Sequence, residues 1–140
     1  MIEKIGVSAC LVGANCKYNG SNNLNTNVID YIRGKEVVLF CPEELGELGT
    51  PRVPCEIQKD GSVLNKDGAD VTENFRIGKI RALALLQENK CTHVILKDGS
   101  PSCGYKTIYD GEFNNKKIKG LGVTATYLIE HDIKIIDLNT

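Results

Sequence analysis

No segment of this 140-residue sequence approaches the roughly 18 consecutive apolar residues that a membrane-spanning helix needs. It has no long basic run and a formal net charge of -1, so no overall field draws it to nucleic acid or to an anionic membrane. The densest basic stretch, Lys116, Lys117 and Lys119 between Asn115 and Gly120, reads as a solvated loop. A linker, a low-complexity tract and a composition break are all missing. This favours one domain over residues 1–140. Met1-Ile2-Glu3-Lys4 leads straight into an apolar run without a signal-peptide pattern, so a cytoplasmic location is expected. No C-x-x-C and no Cys/His spacing of the structural-zinc type occurs.

What the sequence does have is six cysteines. A chain this long buries a core without disulfide staples, and with no secretory leader these thiols point to metal or redox chemistry. Apolar, β-branched runs occur at Ile5–Ala9, Val37–Phe40, His93–Leu96 and Ile133–Ile136. Such runs suit strands buried on both faces of a parallel sheet. Helical spacing lies between them. Asp70 is placed to cap a helix with Glu73 as its box partner, and Phe75, Ile77, Ile80, Leu83, Ala84 and Leu86 continue it to about Glu88. A last helix fits Val123–Glu130, and a shorter one Asn25–Ile32. Asp60-Gly61 and Asp110-Gly111 mark hairpin turns, the second between Thr107-Ile108-Tyr109 and Glu112-Phe113. Residues 51–71 read as an excursion from the sheet. The expected fold is α/β: a wound, three-layer, mostly parallel sheet with small β-hairpin excursions.

Cys10 ends the first strand, Cys41 the second, and Cys103 lies in the turn-rich loop after the third. Strands of a parallel sheet end on one side, and ligands bind there where strand order reverses. Three distant cysteines can therefore meet at one spot. Three sulfur ligands without a local fourth suit a cubane iron–sulfur cluster with one open iron, a soft Lewis acid for a sulfur atom.

Neighbouring residues are read with this site in view. Glu43 or Glu44, after Cys41-Pro42, is a candidate general base, or else an acid pair at a helix start. Ser100 and Ser102, flanking Pro101, are candidates to orient substrate or donate a proton, or are turn residues. Arg52 reads as a surface ion-pairing residue, or as a binder of an anionic group. Cys16, Cys55 and Cys91 read as structural or incidental, Cys16 being the one whose loop after the first strand could bring it to the site; His93 reads as a strand residue, and His131 as a cation at a helix end. Gly120-Leu121-Gly122-Val123-Thr124-Ala125 fits G-x-G-x-x-A but lacks the preceding strand and following acid of a dinucleotide site. A helix N-terminus facing the cleft would remain to hold an anion.

An ordered set of motifs runs along nearly the whole chain. It comprises Ser8-Ala9-Cys10-Leu11 with Lys17-Tyr18-Asn19-Gly20, Cys41-Pro42-Glu43 with Thr50-Pro51-Arg52-Val53-Pro54 and Glu56-Ile57, and Asp70-Val71-Thr72 with Phe75 and Gly78. Ser100-Pro101-Ser102-Cys103-Gly104 with Ile108-Tyr109-Asp110-Gly111 follows, and then Gly120–Ala125. This set resembles bacterial domain-of-unknown-function family 523, whose characterised branch contains 2-thiouracil desulfidase. The resemblance implies a 4Fe-4S cluster held by Cys10, Cys41 and Cys103, with Glu43 and Ser100 or Ser102 in catalysis. Asn19 stands where that family commonly has Asp, and Cys55 where a small apolar residue is common.

The expected activity is non-redox, hydrolytic removal of sulfur from a small thiolated substrate such as a thiopyrimidine. The open iron would take the sulfur and Glu43 would activate water. Two other readings stay open: a non-catalytic metal- or nucleotide-binding module, and a cysteine-based redox or nucleophilic enzyme.

Overall fold

In the computed structural model, residues 4–140 are described. Met1, Ile2 and Glu3, on which the reading of the N-terminus rests, lie outside them. In chain order the elements are β1 (Lys4–Ser8), a single 3-10 turn (Ala9–Val12), α1 (Thr26–Ile32), β2 (Glu36–Phe40), α2 (Pro42–Leu45), β3 (Cys55–Ile57) and β4 (Val63–Asn65). Then follow α3 (Thr72–Glu88), β5 (His93–Ile95), β6 (Thr107–Tyr109), β7 (Lys117–Lys119), α4 (Val123–Glu130) and β8 (Lys134–Ile135).

Four strands form one parallel sheet in the order β2-β1-β5-β8. Successive side chains of a strand face opposite sides. Ile5, Val7 and Ile95 pack with Leu11 and Val28 beneath α1, while Val94 and Phe40 pack with Ala82, Leu83 and Leu86 of α3 and Ala125 and Leu128 of α4. The expected three-layer α/β arrangement follows. Two-sided burial holds for β1 and β5. It fails on β2, an edge strand where Leu39 is 45% exposed. Gly6 lets α3 lie close on β1, since a Cβ there would stand 2.3 Å from Leu86 Cδ2. From β1 the chain moves to one side to form β2. It then returns through α3 to β5 on the other side, so strand order reverses at β1.

Several local expectations shift. α1 starts where expected, with Asn25 Oδ1 accepting from the Val28 amide at 3.1 Å. α3 starts at Thr72, and Asp70 is not its cap with Glu73 as partner: Asp70 Oδ1 accepts from Thr72 N at 2.9 Å and Glu73 pairs with Arg76. The residues before α3 are tied to β4 instead, Val71 N donating to Val63 O and Val63 N to Thr72 Oγ1, each at 2.9 Å. β6 pairs with β7, Ile108 opposite Ile118, and not with Glu112-Phe113. Lys117 and Lys119 are therefore strand residues, not loop. The reason is Glu56, a buried carboxylate whose Oε1 accepts from Gly111 N at 2.9 Å and Phe113 N at 3.2 Å. It holds residues 111–113 away from the ladder, so the hairpin closes further on.

α2 is a four-residue helix, begun by Pro42 at its first position with Glu43 and Glu44 in its first turn, which suits the positive end of the dipole. It lies hard against α3. A Cβ on Gly78 would stand 2.2 Å from Pro42 O, and Asn74 Nδ2 donates to Gly46 O at 2.8 Å. No helix among the described residues is long and apolar enough to cross a membrane.

Gly78→Ala should destabilise the protein by about 1–3 kcal/mol, because the new methyl meets backbone that cannot swing aside. Gly6→Ala should cost less, since the end of Leu86 can move. Urea denaturation midpoints of the two variants would check this order.

Candidate active site

The carboxyl ends of β1, β2 and β5 open on one cavity of about 380 Å³. Its lining includes Cys10, Cys41 and Cys103, together with Glu43, Ser100, Ser102, Arg52 and Lys97. Each expected site residue therefore reaches one place. Cys10 sits in the turn that follows β1, and Cys41 is the residue between β2 and α2. Cys103 is 4% exposed in the loop after β5.

That loop is built by hydrogen bonds. Ser100 Oγ accepts from the amides of Ser102 and Cys103 at 3.1 Å each, and lies 2.9 Å from Ser102 Oγ. Asp98 Oδ1 accepts from the amides of Tyr105, Lys106 and Thr107, all at 3.0 Å, and Oδ2 accepts from Thr107 Oγ1 at 3.1 Å. Burial by itself would raise the Asp98 pKa. The backbone donors outweigh it and bring it to about 2. The N-terminus of α4 does not face the cleft as an anion site. The amide of Val123 donates to Pro101 O, and those of Thr124 and Ala125 to Ser102 O, so this end of the helix anchors the loop carrying Cys103.

Two of the three sulfurs have polar donors. Asn23 Nδ2 donates to Cys10 Sγ at 3.4 Å. Ser8 Oγ and Ser102 Oγ donate to Cys103 Sγ at 3.5 and 3.7 Å. Cys16 is not incidental. The residue is 5% exposed and lines the same cavity as Cys10 and Cys41. The Cys16 and Cys41 sulfurs and a Glu44 carboxylate oxygen stand within 4.8 Å of one another. The Cys10 thiol is lowered to about 7, first by hydrogen bonding from Cys16, with help from Asn23 and Lys97 against burial. Cys41 is also lowered, first by Cys16, while Cys16 itself is raised by serving both neighbours. Burial pushes Cys103 up to about 12.

Arg52 is not a surface residue. Its side chain is 6% exposed, and its Nη2 donates to Glu43 Oε2 at 2.6 Å and to Cys16 O at 2.9 Å. Nη1 donates to Gly49 O at 2.9 Å. The guanidinium thus holds the candidate base and the loop carrying Cys16 in one frame. Glu44 does not line the cavity; its Oε2 accepts from Thr50 Oγ1 at 2.5 Å. Cys55 also borders the cavity, its thiol raised to about 11 by burial, whereas Cys91 lies in the core under α3. Neither histidine reaches the cavity: His93 pairs with Thr92 and His131 with the Tyr127 carbonyl. Tyr18, Tyr109 and Phe113 supply aromatic walls.

Cys16, Asn23, Ser8 and Lys97 are the site residues that spacing alone did not single out. Cys16 stands six positions after Cys10, in the loop that follows the first strand.

The family model for 2-thiouracil desulfurase matches residues 5–139. The uncharacterized protein YbbK of Bacillus subtilis (strain 168) is 39% identical over 142 residues, covering 95% of this chain and 94% of that protein. The solved structure of the 4Fe-4S-dependent thiouracil desulfidase TudS superposes with a TM-score of 0.90 at 38% identity, covering 98% of this chain and 91% of that one.

Arg52→Ala should destabilise the protein by about 1–3 kcal/mol, because it leaves the partly buried Glu43 carboxylate without its partner. Chemical denaturation would measure this. Asp98 has a folded pKa below its unfolded value, so its contribution is present above about pH 4 and is lost as pH falls through about 2. The stability difference between the wild type and Asp98→Ala should therefore shrink across that window, as followed by urea midpoints at stepped pH.

Proposed function

This chain belongs to the 2-thiouracil desulfurase family, and from that premise we propose that it is a 4Fe-4S-dependent desulfidase acting by hydrolysis on a small thiolated substrate, a thiopyrimidine. The observation that carries this reading is the convergence of Cys10, Cys41 and Cys103 with the Glu43 carboxylate on one cavity. The six unpaired thiols favour a reducing compartment, the cytoplasm.

The residues present fit such a cluster. Cys10, Cys41 and Cys103 are three soft donors from three separate segments, and two of the sulfurs accept hydrogen bonds, Cys10 from Asn23 and Cys103 from Ser8 and Ser102. Hydrogen bonds of this kind tune iron–sulfur centres. A metal would deprotonate even the buried Cys103. When bound, the cluster supplies an open iron, a soft Lewis acid for a thiocarbonyl sulfur.

The protein's own groups supply the rest. Glu43 Oε2 is fixed by Arg52, while Oε1 has no hydrogen-bond partner among the described residues and is available to take a proton from water. Water's oxygen replaces sulfur on the carbon, sulfur leaves as hydrosulfide, and no electrons change hands. Ser100, half-buried at the cavity wall, is the better placed of the two serines to meet substrate. Ser102, 1% exposed, backs it and donates to Cys103. Lys97 lines the same cavity, its ammonium donating to Asp98 O at 2.6 Å, and its positive charge helps to lower the Cys10 thiol. Tyr109 and Phe113 offer faces for a planar ring.

Protein reconstituted without oxygen should carry about four iron and four acid-labile sulfide per chain. It should release sulfide from a thiouracil, and isotopically labelled water should leave its oxygen in the product carbonyl. Glu43→Gln should keep the iron and lose about 10²–10⁴-fold in turnover. Zinc without sulfide, or no sulfide release from any thiopyrimidine or thionucleoside, would overturn the assignment in favour of a metal-binding module.

A further inference from the structure

Three carboxylates line the cavity, those of Glu43, Asp98 and Glu56. Asp98 spends both oxygens on its own loop, and Glu43 is held by Arg52 as the proposed base. Glu56 is different. It is the middle residue of β3 and is 8% exposed. Its Oε1 accepts from the amides of Gly111 at 2.9 Å and Phe113 at 3.2 Å. Its Oε2 accepts from no group among the described residues, and Glu56 takes part in none of their ion pairs. That oxygen is nevertheless not sealed inside the protein: among the described residues the buried side-chain atom left without a partner is Thr124 Oγ1.

A clasp on two amides needs one acceptor atom, and the carbonyl of a glutamine would serve. A carboxylate brings a second oxygen with lone pairs of its own, and burying it is costly unless donors meet it. The second oxygen of Glu56 is thus surplus to the fold, on a residue that borders the cavity. What meets it must bring an N–H or O–H. The surroundings narrow the choice. The bond to the Phe113 amide seats this carboxylate next to Phe113, which with Tyr109 forms an aromatic wall. A planar ring lying against that wall turns its edge toward neighbouring polar groups. From this geometry we infer that Glu56 is a specificity-determining residue, whose Oε2 accepts the ring N3–H of a thiouracil. The inference rests on the desulfidase reading above and adds to it what selects the ring. N3–H is the donor that a thiouracil keeps whatever stands on N1. A cytosine-type ring has a bare nitrogen there, so lone pair would face lone pair. A buried oxygen left unpaired in this way rejects the wrong ring more sharply than lost apolar contact does.

The test uses the reconstituted holoenzyme. Sulfide release from 2-thiouracil comes first: its absence would sink the desulfidase reading, and this inference with it. Equilibrium binding of sulfur-free rings then separates recognition from chemistry. Uracil and 1-methyluracil should bind alike, and 3-methyluracil and cytosine about 10–100-fold more weakly. This series needs no variant. Glu56→Gln keeps an oxygen for the Gly111 and Phe113 amides and changes the remaining atom from acceptor to donor. It should lose affinity for uracil by a similar factor and gain affinity for cytosine, and its defect with 2-thiouracil should fall on KM more than on kcat. A 3-methyluracil that binds as well as uracil, or a folded Glu56→Gln that ranks the rings as the wild type does, would overturn the role of Glu56 while leaving the desulfidase reading intact.

Discussion

Parallel pairing of β1 with both β2 and β5 is the constraint on which everything else in this protein depends. Strands that run side by side in one direction finish at one edge. Whatever follows them in sequence is delivered to that edge, however far apart it lies along the chain. Here the followers are Cys10, Cys41 and the loop holding Cys103. The reversal of strand order at β1 leaves a gap between the diverging connections, and that gap is the cavity. A slip in register by one residue would turn Ile5 and Val7 from the α1 face to the α3 face, where Gly6 now makes room for Leu86. The same packing that stabilises the sheet therefore also fixes where the thiols emerge.

Around this edge the protein spends polar groups freely, and nearly every one has a partner. Asp98 closes its loop with three amides and a hydroxyl. Glu56 ties the first hairpin to the second through the amides of Gly111 and Phe113. Arg52 joins the Glu43 carboxylate to the loop of Cys16. Buried carboxylates and guanidinium groups are costly unless satisfied, and so each of these clasps is all-or-nothing in its geometry. The result is a site on loops that behave as rigid parts. The electrostatics follow. Two thiols, Cys10 and Cys41, are shifted toward the thiolate, while the third, Cys103, is held toward the neutral form by burial.

Much of this was legible in the chain. β-branched runs gave four strands to within a residue or two, and helical spacing gave α1, α3 and α4. The position of cysteines just after strands made a common site at one sheet edge a geometrical consequence of parallel pairing. The errors have local physical causes. Asp70 has the right residue type and spacing for a cap, but the chain before α3 is already bound to β4, so the helix starts at Thr72. Lys117 and Lys119 look like solvated loop because a short two-stranded ribbon has no buried face to impose alternation. Arg52 looks like a surface cation because its partner, Glu43, is nine positions away, and α2 turns that carboxylate back toward it.

The sequence by itself determined the chemistry available: three thiols after strand ends, a carboxylate beside one of them, hydroxyls beside another, and an ordered set of motifs that marks the family. These depend on residue identity and on short-range pattern, which the chain displays directly. Only the tertiary structure decided which groups touch. Cys16 and Cys91 are both buried cysteines, yet one borders the cavity beside Cys41 and the other lies in the core. Likewise the amides at the start of α4 are bound to the loop at Pro101 and Ser102 and do not face the cavity. Contacts of this kind join segments tens of residues apart. Their distances are set by how helices and loops settle on the sheet, and no local pattern encodes that.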